Sequence, residues 1–335
     1  MKTMLICCFL PAILLSAQPI EKPVIIGDWW KLCDTRPDIS PYAYTHHNNS
    51  VCDFTIFQDT EKTWHLIACV RLNTYPGTHR FFYEWTSASL RDTTWLLNGR
   101  FATTTWHEQG IFWTTGTTDS ADALGRRLED TPYQVEGKLQ APHCLFVNGR
   151  YVLFHNNDGA YCLTSPDGRD WQYAQNVHGH YTFFDMGRDV MLLDDRRDND
   201  RWIAYYTDGA ADPQCVSART APALTGPWSE DKHVCVYDGR SGTPKPVYAF
   251  EFAESPFVVR RESGYYLFAQ LQVFHSGDPF SFTNRIANLE DGVWQHRCWA
   301  AEIITDAEGN PYIAAYRVDG IWMAELRWVQ HKPAQ

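Results

Sequence analysis

The chain has no second long apolar run after its first residues, and no later segment is long enough to cross a membrane as a helix. It has no excess of basic charge: 29 Lys and Arg face 40 Asp and Glu, a net charge of −11. With no basic stretch to set against that balance, nucleic-acid binding is excluded as a function class. It has no Cys-x-x-Cys pair, which argues against a structural zinc site. It has no Gly-x-Ser-x-Gly, no phosphate-binding glycine loop and no His-Glu-x-x-His, so the common hydrolase and nucleotide motifs are missing. Long 3.6-residue periodicity is also missing. The helix-like stretch near Asp119 to Leu128 is short.

The N-terminus reads as a leader. Met1-Lys2-Thr3 gives a short basic start, an apolar run extends from Met4 to Leu15, and Ser16-Ala17 precedes Gln18. This is the pattern of a signal peptide (residues 1–17) cleaved after Ala17. The expected product is exported, periplasmic or extracellular. Cys7 and Cys8 fall in the leader and lack the small residues that precede a lipidated cysteine. Residues 18–335 are expected to form a single catalytic domain. They keep Cys33, Cys52, Cys69, Cys144, Cys162, Cys215, Cys235 and Cys298. Export permits disulfides, and the even count is compatible with them. Several of these cysteines sit inside apolar strands, where a free thiol acts as a small hydrophobe.

What is abundant is aromatic and strand-forming. There are 14 Trp and 17 Tyr, residue types that favour strands and that stack on sugar rings where exposed. Five strand-turn-strand units recur: Cys52 to Val70, Pro142 to His155, Asp189 to Thr207, Glu254 to Gln270, and Ala301 to Tyr316. The second turns on Asn148-Gly149, the strongest short hairpin signal. Most units are followed by a third strand and a Trp-marked outer segment, at Trp95, Trp171, Trp228 and Trp328. Four-stranded units in series predict an all-β fold, a five-bladed β-propeller. A two-sheet sandwich is the competing all-β arrangement. The longer gap after the first unit is expected to hold an inserted loop or a hairpin around Trp106 to Thr115.

Three of the units open on an acid: Asp53, Asp189 and Glu254. If the first strand of each blade lines the central channel, these carboxylates converge at one mouth, with Trp or Tyr expected in its wall. Converging carboxylates are what glycosidic bond cleavage requires. His143 and Glu302 head the second and fifth units and are candidates for substrate contact, as is Arg188. His46 and His47 precede the first unit. No ligand spacing demands a metal, and no motif calls for a cofactor; neither is expected. Asp194, Asp195, Asp198 and Asp200 lack the calcium-loop register and, interleaved with Arg196, Arg197 and Arg201, read as a solvated turn. Asn48-Asn49-Ser50 is a glycosylation sequon.

The acidic heads, the Arg188-Asp189 pair and the Ala253-Glu254-Ser255-Pro256 element resemble the five-bladed propeller glycosidases of families 43 and 32 and their relatives. Val190 stands where that pattern usually has Pro, and Asp53 is followed by Phe54 and preceded by Cys52, where Asn is common in one branch. The resemblance implies that Glu254 is the general acid, Asp53 the base or nucleophile, and Asp189 the group that tunes the acid and orients substrate. The implied partner is an oligosaccharide or polysaccharide of plants or algae, handled by a monomer. A non-catalytic carbohydrate-binding or interaction propeller is the alternative.

Overall fold

The computed structural model describes residues 19–37, 50–75, 77–101, 139–156, 159–185, 187–209, 214–238, 249–250, 253–289, 299–317 and 319–331. The leader, the segment around Trp106 to Leu128, His46, His47, most of the sequon and Cys298 lie outside them.

Strand β1 (Glu21–Asp34) belongs to the last blade, not to the first. The first blade is β2 (Ser50–Gln58), β3 (Trp64–Tyr75), β4 (Gly77–Ser87) and β5 (Leu96–Arg100). The second is β6 (Gln140–Val147), β7 (Arg150–Asn156), β8 (Ala160–Ser165) and β9 (Gln172–Tyr173). The third is β10 (Arg188–Asp194), β11 (Trp202–Asp208), β12 (Cys215–Ala221), β13 (His233–Asp238) and a short parallel β14 (Ala249–Phe250). The fourth is β15 (Pro256–Arg261), β16 (Gly264–Ala269), β17 (Gln272–Ser276) and β18 (Asn284–Asn288). The fifth is β19 (Trp299–Thr305), β20 (Pro311–Arg317) and β21 (Gly320–Gln330), completed on its outer edge by β1. The first strands β2, β6, β10, β15 and β19 touch one another in a closed ring. The fold is the expected five-bladed propeller with first strands innermost.

The closure departs from the sequence reading. Trp328 does not mark a separate outer strand; it lies within β21. The outer strand of the last blade comes from the other end of the chain, with Glu21 opposite Gln330 and Asp34 opposite Gly320. This joint pairs residues 21–34 with 320–330 inside the last sheet.

The core is a set of seams between blades. Leu192, Ala204 and Tyr206 of the third blade pack on Val152 and Phe154 of the second. Met191, Ile203 and Tyr205 turn the other way, onto Val258, Leu267 and Phe274 of the fourth. Each sheet is therefore buried on both faces, and all seven residues of β11 are buried. That is why the middle strands read as continuous apolar runs rather than alternations. The Asn148-Gly149 turn adopts positive φ at both residues, 52° and 77°, as a two-residue hairpin requires. Cys33, Cys52, Cys69, Cys144, Cys162, Cys215 and Cys235 are buried free thiols. Among the described residues no helix is long and apolar enough to cross a membrane.

Two buried carboxylates staple neighbouring blades. Asp195 does not lie in a solvated turn. It is fully buried beside the single helical turn Arg196–Asn199. It accepts hydrogen bonds from Tyr265 Oη (2.8 Å) and Arg260 Nη1 (3.4 Å) of the fourth blade, and from Arg201 Nε (3.0 Å). Asp59 joins the first two blades through Arg169 Nε (2.5 Å) and His65 Nε2 (3.0 Å), while His65 Nδ1 meets Glu84 Oε1 at 2.7 Å.

Burial alone would lower the His65 pKa, but hydrogen bonds to Glu84 and Asp59 outweigh it and raise the pKa above 6.5. A raised folded pKa contributes stability that is complete below the unfolded value and lost as pH rises through the folded one. We expect the melting temperature to fall on the alkaline side of pH 6.5 in the wild type. His65→Gln should flatten that fall. Parallel slopes for the two proteins in pH-dependent thermal melts would refute the assignment.

Candidate functional site

The mouth of the ring is built by one backbone device used repeatedly. At the head of each innermost strand the ladder is interrupted or has not yet begun. In β2 the pairing skips between Cys52 and Phe54, in β6 between Gln140 and His143, in β10 between Arg188 and Met191, and in β19 between Trp299 and Glu302. In β15 pairing starts at Pro256, just after Ser255. Ala141 (φ 46°), Asp189 (φ 63°), Ser255 (φ 50°) and Ala300 (φ 51°) occupy the left-handed region at these points. Bulges re-aim side chains, and a non-glycine residue held at positive φ costs on the order of 1–3 kcal/mol. Four such residues around one rim are a shared distortion that turns the strand heads towards the axis.

The rim encloses a small cavity of about 40 Å³. Asp53, His143, Asp189 and Glu302 line it with Phe54, Met191 and Phe257. Every blade contributes. The aromatic wall differs from expectation: among the described residues it is Phe54 and Phe257, not Trp or Tyr.

Arg188 ties the acids together. Its Nη2 donates to Glu254 Oε1 at 2.7 Å, and its Nε lies 3.5 Å from Asp189 Oδ2. The same Oδ2 accepts from Thr207 Oγ1 at 2.8 Å and sits 3.5 Å from Ser255 Oγ. Thr207 is a hub, because its Oγ1 also accepts from the Ser255 backbone N–H at 2.9 Å. The Asp189 N–H, turned off the strand ladder by its positive φ, is taken by Asn156 Oδ1 at 3.1 Å. Gln214 anchors the far side of Arg188. It accepts from Nη2 at 3.2 Å and donates to Ala253 O at 3.3 Å.

Burial separates the carboxylates. Asp189 and Asp53 are 7% and 9% exposed, whereas the Glu254 side chain is 22% exposed and the more accessible. Burial, with the nearby negative charge of Asp53 next in size, pushes the Asp189 pKa from 3.8 up to about 7; Arg188 opposes the shift and Glu254 adds to it. Asp189 is therefore held protonated to a higher pH than an ordinary carboxylate.

Glu302 and His143 sit against each other in the same cavity, with His143 Nδ1 3.5 Å from Glu302 Oε1. Both Glu302 oxygens have internal donors: Thr55 Oγ1 at 2.8 Å and the Ile56 N–H at 2.9 Å. The ring of His143 also reaches the third blade, with Nε2 3.3 Å from Leu192 O. This pair joins the first, second, third and fifth blades. Burial raises the Glu302 pKa, against the opposing effect of His143. No group of three or more potential metal ligands occurs among the described residues.

The residues singled out in the sequence are thus brought to one mouth: Asp53, Asp189, Arg188 and Glu254 above, His143 and Glu302 lining the same cavity. Thr207, Gln214, Asn156 and Ser255 join them without having been singled out for a role. Asn156 ends β7 and Thr207 is the last residue but one of β11, so each lies opposite the start of a bulged first strand, Gln140 and Arg188. That position was the available signal.

No family model matches the chain, and no curated protein matches it. Its fold is that of solved glycoside hydrolases. An endo-1,4-β-xylanase from Bacteroides thetaiotaomicron superposes with a TM-score of 0.53 at 13% identity, over 82% of this chain and 90% of that one. An α-L-arabinofuranosidase from Podospora anserina, in complex with cellotriose, gives 0.53 at 13% identity over 89% and 96%. A GH43_1 enzyme from Xanthomonas citri gives 0.52 at 13% identity over 82% and 87%. At such identities the likeness is one of fold, and it matches the five-bladed glycosidase resemblance drawn from the acidic heads.

Proposed function

We propose that this chain is an exported glycoside hydrolase acting on pentose-containing oligosaccharides or polysaccharides of plants or algae. One observation carries the reading. Arg188 is shared by Glu254 and Asp189, and burial beside Asp53 raises the pKa of Asp189, which lines the cavity with it, to about 7. Acetal hydrolysis needs a proton for the departing oxygen and a carboxylate to activate water or attack the anomeric carbon. A cluster that shares one proton among several acids supplies both. The choice of pentose polymers draws on the xylanase and the arabinofuranosidase of like fold.

Asp53 is the base or nucleophile and remains ionised. Asp189 and Glu254 share the proton. In the resting site Arg188 pairs with Glu254. A sugar hydroxyl that draws Arg188 away leaves Glu254 beside Asp189 with no counter-charge. The proton then moves to Glu254, the exposed member, which delivers it to the leaving oxygen. Thr207 and Ser255 hold Asp189 in place throughout. Residues 18–335 act as one catalytic domain after removal of residues 1–17.

A sugar-binding propeller without chemistry is favoured by one feature, the direct Arg188–Glu254 pair that occupies the acid. The test is a screen of purified protein against aryl glycosides and xylo- and arabino-oligosaccharides, with Asp53→Asn in parallel. Cleavage that disappears in the variant is expected. Binding without cleavage of any member would replace the hydrolase reading with the binding one.

A further inference from the structure

The chemistry of the rim leaves the buried thiols unused, and two of them face each other. Cys52 on β2 is paired with Cys69 on β3, and it is the last residue paired before the register shift that carries Asp53. Residues directly opposite in an antiparallel ladder present their side chains on one face. Their Cα atoms lie about 4.5–5.5 Å apart, inside the window of about 4.4–6.8 Å that a disulfide needs. The Cys52 thiol is hydrogen-bonded to Cys69, so the two sulfurs are already neighbours. The other cysteines lack this arrangement. Cys33 lies opposite Ile321, Cys144 opposite Leu153, Cys162 opposite Phe154 and Cys215 opposite Tyr237. Cys144 and Cys162 share the second blade, but β7 runs between their strands. Cys235 falls between Val234 and Val236, where the pairing of β12 with β13 shifts register. Among the described residues, Cys52 and Cys69 are the one opposed pair of cysteines.

We propose that Cys52 and Cys69 close into a cross-strand disulfide when the chain folds in the presence of a disulfide donor, glutathione disulfide being sufficient. One thiolate attacks the donor and releases a first glutathione thiol. The second thiolate then displaces the other glutathione from the mixed disulfide. One S–S bond breaks and one forms. Two electrons and two protons pass from the protein to the donor, which leaves as two thiols.

Burial sets the timing. Cys52 and Cys69 are 3% and 0% exposed. The hydrogen bond to Cys69, with burial next in size, holds the Cys52 thiol well above its ordinary pKa. In the packed blade the pair is therefore short of thiolate and shielded from donor and reductant alike. The bond closes before the blade packs and persists afterwards, tying β2 to β3 at the residue before Asp53. The proposal rests on the leader reading for where a donor is met; it does not depend on the hydrolase reading.

The experiment unfolds the purified full chain with dithiothreitol and denaturant, then refolds one portion with glutathione disulfide and one with dithiothreitol. In the first portion, mass spectrometry of an unreduced digest should show Cys52 joined to Cys69. Alkylation after unfolding should find two fewer thiols than in the second portion. The melting temperature of the first portion should be higher by about 4 °C, because the bond closes the β2–β3 loop. In the double variant Cys52→Ala, Cys69→Ala the two portions should melt together. Cys52 and Cys69 both alkylated in the glutathione portion, or either joined to a different cysteine, overturns the proposal. So does a glutathione portion that fails to fold while the dithiothreitol portion folds. If the double variant does not fold, the wild-type bond map decides. A chain that stays in the host cytosol with residues 1–17 intact counts against export, and the refolding result still decides the bond.

Discussion

Glu254→Gln should reduce kcat on a natural glycoside by about 10²- to 10⁴-fold, the usual contribution of general acid catalysis. The substitution keeps the side chain's shape and an oxygen for Arg188, so the fold should be unchanged in circular dichroism and thermal melting. An activated aryl glycoside should lose far less, because its leaving group departs with little help from a proton. Asp53→Asn should instead slow both substrates, since either role for Asp53 supplies the attacking oxygen. This difference between substrates separates loss of the acid from general damage to the site. Wild-type rates for both variants on a confirmed substrate would remove Glu254 and Asp53 from the mechanism.

The same geometry explains why the acids could be found from sequence. Innermost strands are buried on both faces, so each reads as a short apolar run, and an acid at its head stands out. Asp53 before Phe54-Thr55-Ile56 and Asp189 before Val190-Met191-Leu192 are legible for that reason. The middle strands are legible too, because both of their faces lie in the seams between blades.

Other features carry no local signal. The pairing of β1 with β21 joins Glu21 to Gln330, and nothing near either residue names the other. The left-handed residues at the rim are Ala141, Asp189, Ser255 and Ala300. Three are types that rarely adopt positive φ, and glycine, the usual marker, is absent from all four positions. Asp195 reads as solvated among charged neighbours, yet its partners Arg260 and Tyr265 arrive from the next blade. Gln214 becomes meaningful only once the fold brings it beside Arg188. In each case the missing information is a contact between residues far apart in the chain.

Asp189→Asn should make the protein more stable at neutral and alkaline pH while it loses activity. Asp189 is 7% exposed, and its pKa is held up at about 7, against an ordinary value of 3.8. A group whose folded pKa is raised favours folding fully below the unfolded pKa, and that advantage fades as pH climbs through the folded one. The wild type should therefore weaken between about pH 4 and pH 7 as Asp189 is forced to ionise out of water beside Asp53 and Glu254. A shift of this size corresponds to at most about 4 kcal/mol, at 1.36 kcal/mol per unit. The asparagine has the same shape, can still accept from Thr207, and carries no charge to bury. Its stability should thus lack this pH slope, and its melting temperature at pH 8 should exceed that of the wild type. Activity should move the opposite way. Without a carboxyl at position 189 to hold a proton near neutrality, turnover should fall. A variant with unchanged pH-dependent stability would show that Asp189 is not the group that holds that proton.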